Sequence, residues 1–184
     1  MKIIELGNVR LRPVVLRDAK LIFDFRSSPS SKRFLNNVPT LENQRQWLRE
    51  YFERASIGSE HYFIIENSRM AVGTIRISHI EPEYKTFEWG SWFVRKGQHP
   101  FVAITSVLLL YELGFDDLGL ETAFFEVRKE NYGVLRFHQS YGAICVGEIQ
   151  QSMRFELRRE DFDPVRTRWR RMLGAQRQEK SAGT

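Results

Sequence analysis

The sequence lacks most of the features that would set it apart from ordinary globular proteins. Its 184 residues hold a single cysteine, Cys145, so no internal disulfide can form, and no Cys/His group has the spacing of a zinc site. Neither a disulfide framework nor a metal site is expected. No stretch approaches the roughly 20 consecutive apolar residues that a membrane span needs. The N-terminus lacks the basic, apolar and small-residue order of a secretory leader. These absences predict a soluble, cytoplasmic protein with no membrane partner. There is also no internal repeat, low-complexity segment or linker.

A broad excess of positive charge is missing too, although the formal net charge is +5. Beyond Pro164 stand six basic residues (Arg166, Arg168, Arg170, Arg171, Arg177 and Lys180) against Glu179 alone, leaving 22 basic and 22 acidic residues in the rest of the chain. A neutral body with a basic end argues against a nucleic-acid surface. The end itself is expected to be a solvated helix that frays.

What the chain does have is core material. Hydrophobic residues make up 42% and aromatic ones 13%, in a length usual for one domain. Residues 9–14 read as a strand, and Asp18 as the N-cap of a helix carrying Leu21, Ile22 and Phe25. Ser27 to Ser30 breaks that helix, and a short helix is expected over 31–36. Thr40 opens a better one, in which Trp47, Leu48, Tyr51, Phe52 and Ala55 recur at helical spacing. Residues 62–66, 71–80 and 86–94 are rich in β-branched and aromatic side chains and predict three antiparallel strands, with turns at Asn67-Ser68 and Glu81-Pro82. Ile104, Val107, Leu108, Tyr111 and Phe115 mark a long amphipathic helix that Gly119 ends. A buried strand over 122–127, a helix over 131–140 and a closing pair over 144–147 and 153–157 complete the order. It is an α/β order with a mixed sheet.

Trp92 to Ala103, lying between a strand and the long helix, resembles the acetyl-CoA motif of the GCN5-related N-acetyltransferase (GNAT) family, Gln/Arg-x-x-Gly-x-Gly/Ala, with Gln98 and Ala103 at its ends. Phe101 stands where the family usually has glycine, and Pro100 removes one N–H from the loop. Further landmarks follow in the family's order: Phe115 to Leu120, Phe125-Glu126-Val127, Glu130-Asn131, Leu135 to His138, and Tyr141-Gly142. The resemblance covers about 11–157. It implies a single-domain α/β GNAT fold, with a mixed central sheet, an antiparallel N-terminal part and flanking helices. The acetyltransferase domain would occupy 1–160, and a basic C-terminal helix and tail 161–184.

The resemblance also implies roles. Acetyl-CoA is the expected co-substrate, with no metal. Backbone N–H groups of Gln98, His99, Phe101, Val102 and Ala103 would face its pyrophosphate at the helix N-terminus. Phe93 and Val94 would pair with the pantetheine amides. Asn131 and Phe137 would also contact the cofactor, while Asn131 serves equally well as a helix N-cap. His138 falls where many members have the tyrosine that protonates the departing thiolate, and histidine titrates near neutral pH. Glu126 and then Glu88 are the candidate bases for the attacking amine. Arg95, Lys96, Arg128, Lys129 and Arg136 are available to CoA phosphates.

For the acceptor, Phe23 to Pro29, Phe34 to Asn37, Gln46 to Leu48 and His61 to Phe63 resemble the transferase of the pseudaminic-acid pathway, which acylates an amino sugar on UDP. In that reading Arg26 faces nucleotide phosphates and Asn36 contacts the substrate. The expected activity is direct attack of a small-molecule primary amine on acetyl-CoA in a ternary complex. Acetylation of protein N-termini, as in Rim-type enzymes, and a catalytically silent CoA-binding or interaction module are the alternatives. A homodimer is left open.

Overall fold

The computed structural model describes residues 2–32 and 39–182. An eight-stranded sheet runs in the order β1-β2-β3-β4-β5-β6-β8-β7. Its strands are β1 (Ile4–Leu6), β2 (Val9–Pro13), β3 (His61–Asn67), β4 (Met70–Glu81), β5 (Thr86–Val94), β6 (Thr122–Arg128), β7 (Ile144–Ile149) and β8 (Ser152–Arg158). Only β5 and β6 run parallel; the other neighbours are antiparallel. The helices are α1 (Ala19–Ser27), α2 (Pro29–Lys32), α3 (Leu41–Ser56), α4 (Pro100–Glu112), α5 (Tyr132–Gln139) and α6 (Arg159–Ala182). The mixed sheet with its antiparallel N-terminal part is the expected fold, and β1 is an addition to it. The short helix expected over 31–36 extends beyond the described residues; α2 ends at Lys32.

The central strand β3 and the middle of β4 are buried on both faces because helices cover the sheet on either side, whereas β7 is exposed along its length. In β3, Phe63 and Ile65 join the larger core with α4, whereas Tyr62 and Ile64 face the smaller one, built with Ile22 of α1 and with Leu48 and Tyr51 of α3. Period-2 alternation thus divides one strand between two cores. Thr40 caps α3, its hydroxyl accepting from the Asn43 N–H at 3.1 Å.

Three local readings are corrected. Asp18 does not cap α1; its carboxylate accepts from the Val15 N–H at 2.8 Å and from Arg12 at 2.9 and 3.0 Å. The network Arg10–Glu66–Arg12–Asp18 claims it, because a buried carboxylate is held best by a guanidinium fork. Helix α4 is not amphipathic. Its residues from Thr105 to Tyr111 are all buried, since the sheet lies on one side and α6 packs on the other. The basic end is not simply solvated: α6 places Phe162 and Trp169 in the main core, and Arg159, Arg166 and Arg170 pair with Asp116 and Glu112.

Candidate functional site

The site begins where β5 and β6 part. Their pairing stops at Glu88 opposite Phe124. Beyond it β5 is bulged against β4, and Ser91 sits at φ 49° with its carbonyl accepting from the Thr74 hydroxyl at 2.7 Å. The edge of β5 from Ser91 to Val94 therefore has no strand partner on the β6 side. Gly73 brings β4 close to this edge: a Cβ there would lie 2.0 Å from the Phe93 carbonyl oxygen.

Two cavities meet in the opening. The larger, of about 500 Å³, is lined by Arg26, Arg76, His79, Glu88, Gln150 and Gln151 among others. The smaller, of about 100 Å³, reaches Asn131, Val134 and His138. Glu126 lines both, with Trp89, Ser91, Phe125 and Arg128. Of the expected site residues, the fold thus brings Arg26, Glu88, Glu126, Asn131 and His138 to one opening. Asn36 lies outside the described residues.

The two carboxylates are held differently. Both oxygens of Glu88 are engaged, one by Arg154 at 2.8 Å and the other by His79 Nδ1 at 3.1 Å. Glu126 is 42% exposed and has one longer contact, 3.5 Å to the same Arg154. Arg154 was not legible as a site residue. The β6–β8 register sets it opposite Glu126, and its guanidinium lies over the Phe124 ring at 5.0 Å. Asn131 occupies the N-cap position of α5, yet its side chain makes no capping hydrogen bond, so its amide is uncommitted beside the smaller cavity. The ring of Phe137 packs against Trp92, Tyr141 and Trp169.

At the start of α4, Gln98 accepts from the Asn67 side chain at 3.1 Å, and Val102 is buried and bonds the His99 carbonyl at 2.9 Å. The Phe101 N–H donates to the Nδ1 of His99 at 3.3 Å, and the Phe101 ring stacks on that imidazole at 4.6 Å. The loop thus supplies its own weak stand-in for an anion. A phosphate taking the Phe101 N–H would have only this long, exposed hydrogen bond to displace.

His138 is buried, 1% exposed, among Trp89, Trp92, Phe125 and Phe155. Its Nδ1 shares a short hydrogen bond with the Tyr141 hydroxyl. Burial pushes its pKa down to about 3. A histidine that titrates near neutrality is therefore not what the fold makes of this residue; the ring is neutral. The unfolded chain, with a histidine near its ordinary 6.5, binds an extra proton between pH 6.5 and 3. Stability is therefore full above the unfolded value and falls as the pH drops below it. His138→Phe should flatten the loss between pH 6 and 4 by up to about 1.4 kcal/mol per pH unit. Urea midpoints measured at each pH test this, and parallel slopes in the two proteins would overturn it.

A family model for the acetyltransferase (GNAT) domain matches residues 8–144. A nucleotide-linked sugar GNAT, the FdhC protein in its apo form, is 30% identical, with a TM-score of 0.84 over 94% of this chain and 98% of that one. RimL, a ribosomal L7/L12 α-N-protein acetyltransferase, matches at TM-score 0.74 and 13% identity over 85% of this chain and 94% of that one. The spermidine N-acetyltransferase of Vibrio cholerae, solved with CoA and spermine, matches at TM-score 0.71 and 14% identity over 84% and 98%. The last two share the fold alone. No curated protein matches the chain.

Proposed function

Because this chain belongs to the GNAT acetyltransferase family, whose members take the acetyl group from acetyl-CoA, we propose that its acceptor is the primary amine of a nucleotide-linked amino sugar. The observation that carries this reading is the meeting of the two cavities at Glu126. An amine entering by the larger cleft arrives beside a carboxylate that also faces the smaller one. The cleft's lining mixes three arginines (Arg26, Arg76, Arg128) and His79 with two carboxylates and two glutamines. Such a lining suits a ligand with both an ammonium group and phosphates; a polyamine would call for carboxylates alone. The 30% identity with a nucleotide-linked sugar GNAT supports the same choice.

Acetyl-CoA supplies the acyl group as a thioester. The edge of β5 at Phe93 and Val94, the Asn131 amide and the loop from Gln98 to Ala103 are the groups that would hold it. Glu126 takes the amine's proton, directly or through one water. Neutral His138 lines the smaller cavity and offers a hydrogen bond there. Glu88, held by Arg154 and His79, fixes the wall of the acceptor cleft.

The test is release of free thiol from acetyl-CoA with three acceptors: a UDP-linked amino sugar, the same sugar without its nucleotide, and a peptide with a free N-terminus. The sugar nucleotide should be turned over with kcat/KM at least about 10-fold above the other two, since one charge-assisted phosphate contact is worth about 1.5 to 3 kcal/mol. Preference for the peptide would favour the N-terminal acetyltransferase alternative. Acetyl-CoA binding without turnover of any amine would favour the silent module.

A further inference from the structure

Three polar groups form a chain inside the aromatic core between α4 and α5. Tyr111 of α4, Tyr141 just after α5 and His138 of α5 are each no more than 1% exposed. The two hydroxyl oxygens are 3.0 Å apart, and the Tyr141 hydroxyl also bonds His138 Nδ1. Around them pack Trp89, Phe115, Phe125, Phe137 and Phe162.

Hydrogens can be arranged along this chain in two ways. In the first, Tyr111 donates to Tyr141 and Tyr141 donates to Nδ1; both hydroxyl hydrogens find acceptors, and the imidazole proton sits on Nε2. In the second, Nδ1–H donates to Tyr141 and Tyr141 donates to Tyr111. The Tyr111 hydrogen then has no acceptor among the described residues, since its other polar neighbour, the Trp89 indole N–H, can only donate. A buried donor left without a partner costs about 1–3 kcal/mol, which selects the first arrangement by roughly one to two orders of magnitude. Nδ1 is taken by Tyr141, so Nε2 is the ring nitrogen left for the smaller cavity, which His138 lines.

We propose that Tyr141, backed by Tyr111, is a positioning residue that locks His138 in the Nε2–H form and so fixes a neutral hydrogen-bond donor in the small cavity at the β5–β6 opening. This rests on the acetyl-transfer reading, in which the thioester carbon–sulfur bond breaks in that cavity and the amine's proton goes to Glu126. The departing sulfur leaves with the electron pair as a thiolate, receives a hydrogen bond from Nε2–H, and is protonated afterwards by water. The ring's own proton stays in place. Passing it on would draw the Tyr141 proton to Nδ1 and leave a tyrosinate in the core, and burial pushes both phenols well above the ordinary tyrosine range. The donor is preorganised: its orientation is settled before the charge appears.

The experiment is nitrogen-15 NMR of the imidazole rings in the unliganded protein, with assignment of the His138 signals by His138→Phe. The expected spectrum shows protonated Nε2 and unprotonated Nδ1 as one form. Tyr141→Phe should add the Nδ1–H form, whereas Tyr111→Phe should keep the single form because Tyr141 can still donate to Nδ1. A wild-type ring protonated on Nδ1 overturns the proposal, as does a Tyr141→Phe ring with the wild-type spectrum. In thiol release, Tyr141→Phe should lower kcat about 10-fold at unchanged KM for acetyl-CoA, less than the roughly 100-fold loss expected when a preorganised donor is removed altogether. Wild-type kcat in Tyr141→Phe would also overturn it. The ring spectra need no acceptor, so a wrong choice of sugar nucleotide would show in the acceptor screen and leave this result standing.

Discussion

Glu126→Gln is expected to lower kcat by about 100-fold to 10,000-fold, the usual range for removing a general base. The substitution keeps the shape of the side chain and removes only its basicity. We expect Glu126 rather than Glu88 to act, because it lines both cavities and, among the described residues, its one ionic contact is a 3.5 Å approach to Arg154. Glu88 has both oxygens engaged and lines only the larger cavity, so Glu88→Gln should act mainly on acceptor KM. The pH dependence separates a base from a wall residue. Without the Glu126 carboxylate the amine must arrive already deprotonated, so the rate of Glu126→Gln should climb close to tenfold per pH unit up to the amine's own pKa. Initial rates of thiol release between pH 6 and 9 measure this. An unchanged kcat with the wild-type pH profile would pass the base role to Glu88 or to water.

The frame around this site was legible because its signals are local. The enrichment of 62–66 and 86–94 in β-branched and aromatic residues, the helical spacing from Ile104 to Phe115 and the turn residues between them are properties of single segments, and the sheet follows from their order. The joint set of landmarks from Gln98 to Gly142 then pointed to the family whose model matches residues 8–144. The features that escaped arise where segments meet. Arg154 reaches Glu126 only through the β6–β8 register. The opening between β5 and β6 depends on a bulge with Ser91 at φ 49°, a conformation the residue type does not announce. His138 could be placed at the site by position, but its neutral form follows from burial in an aromatic enclosure drawn from β5, β6 and β8. A sequence assigns a histidine its ordinary pKa; burial in this core moves it down to about 3.

The docking of α6 was hidden by its charge. Phe162, Val165, Trp169, Met172 and Leu173 lie at helical spacing and all contact the main core, but arginines and Pro164 interrupt the pattern. Phe162→Ala should therefore destabilise the protein by about 3–5 kcal/mol, as expected for emptying a fully buried phenylalanine site. The ring is 1% exposed and packs on Tyr111 at 4.7 Å, on Phe115 at 5.9 Å and on Trp169 at 5.9 Å. The ion pairs along the same helix contribute far less. Arg170 grips Glu112 at 2.6 and 2.8 Å, yet its own side chain is 55% exposed, and such surface pairs are worth about 0–1 kcal/mol each. In a domain of this size Phe162→Ala should lower Tm by roughly 6–20 °C, and Arg170→Ala by less than about 4 °C. Thermal unfolding followed by circular dichroism compares the two, and equal shifts would mean that charge, and not the aromatic anchor, holds α6. A helix whose end carries the chain's excess positive charge is thus held by two buried rings, Phe162 against Tyr111 and Trp169 against Tyr141.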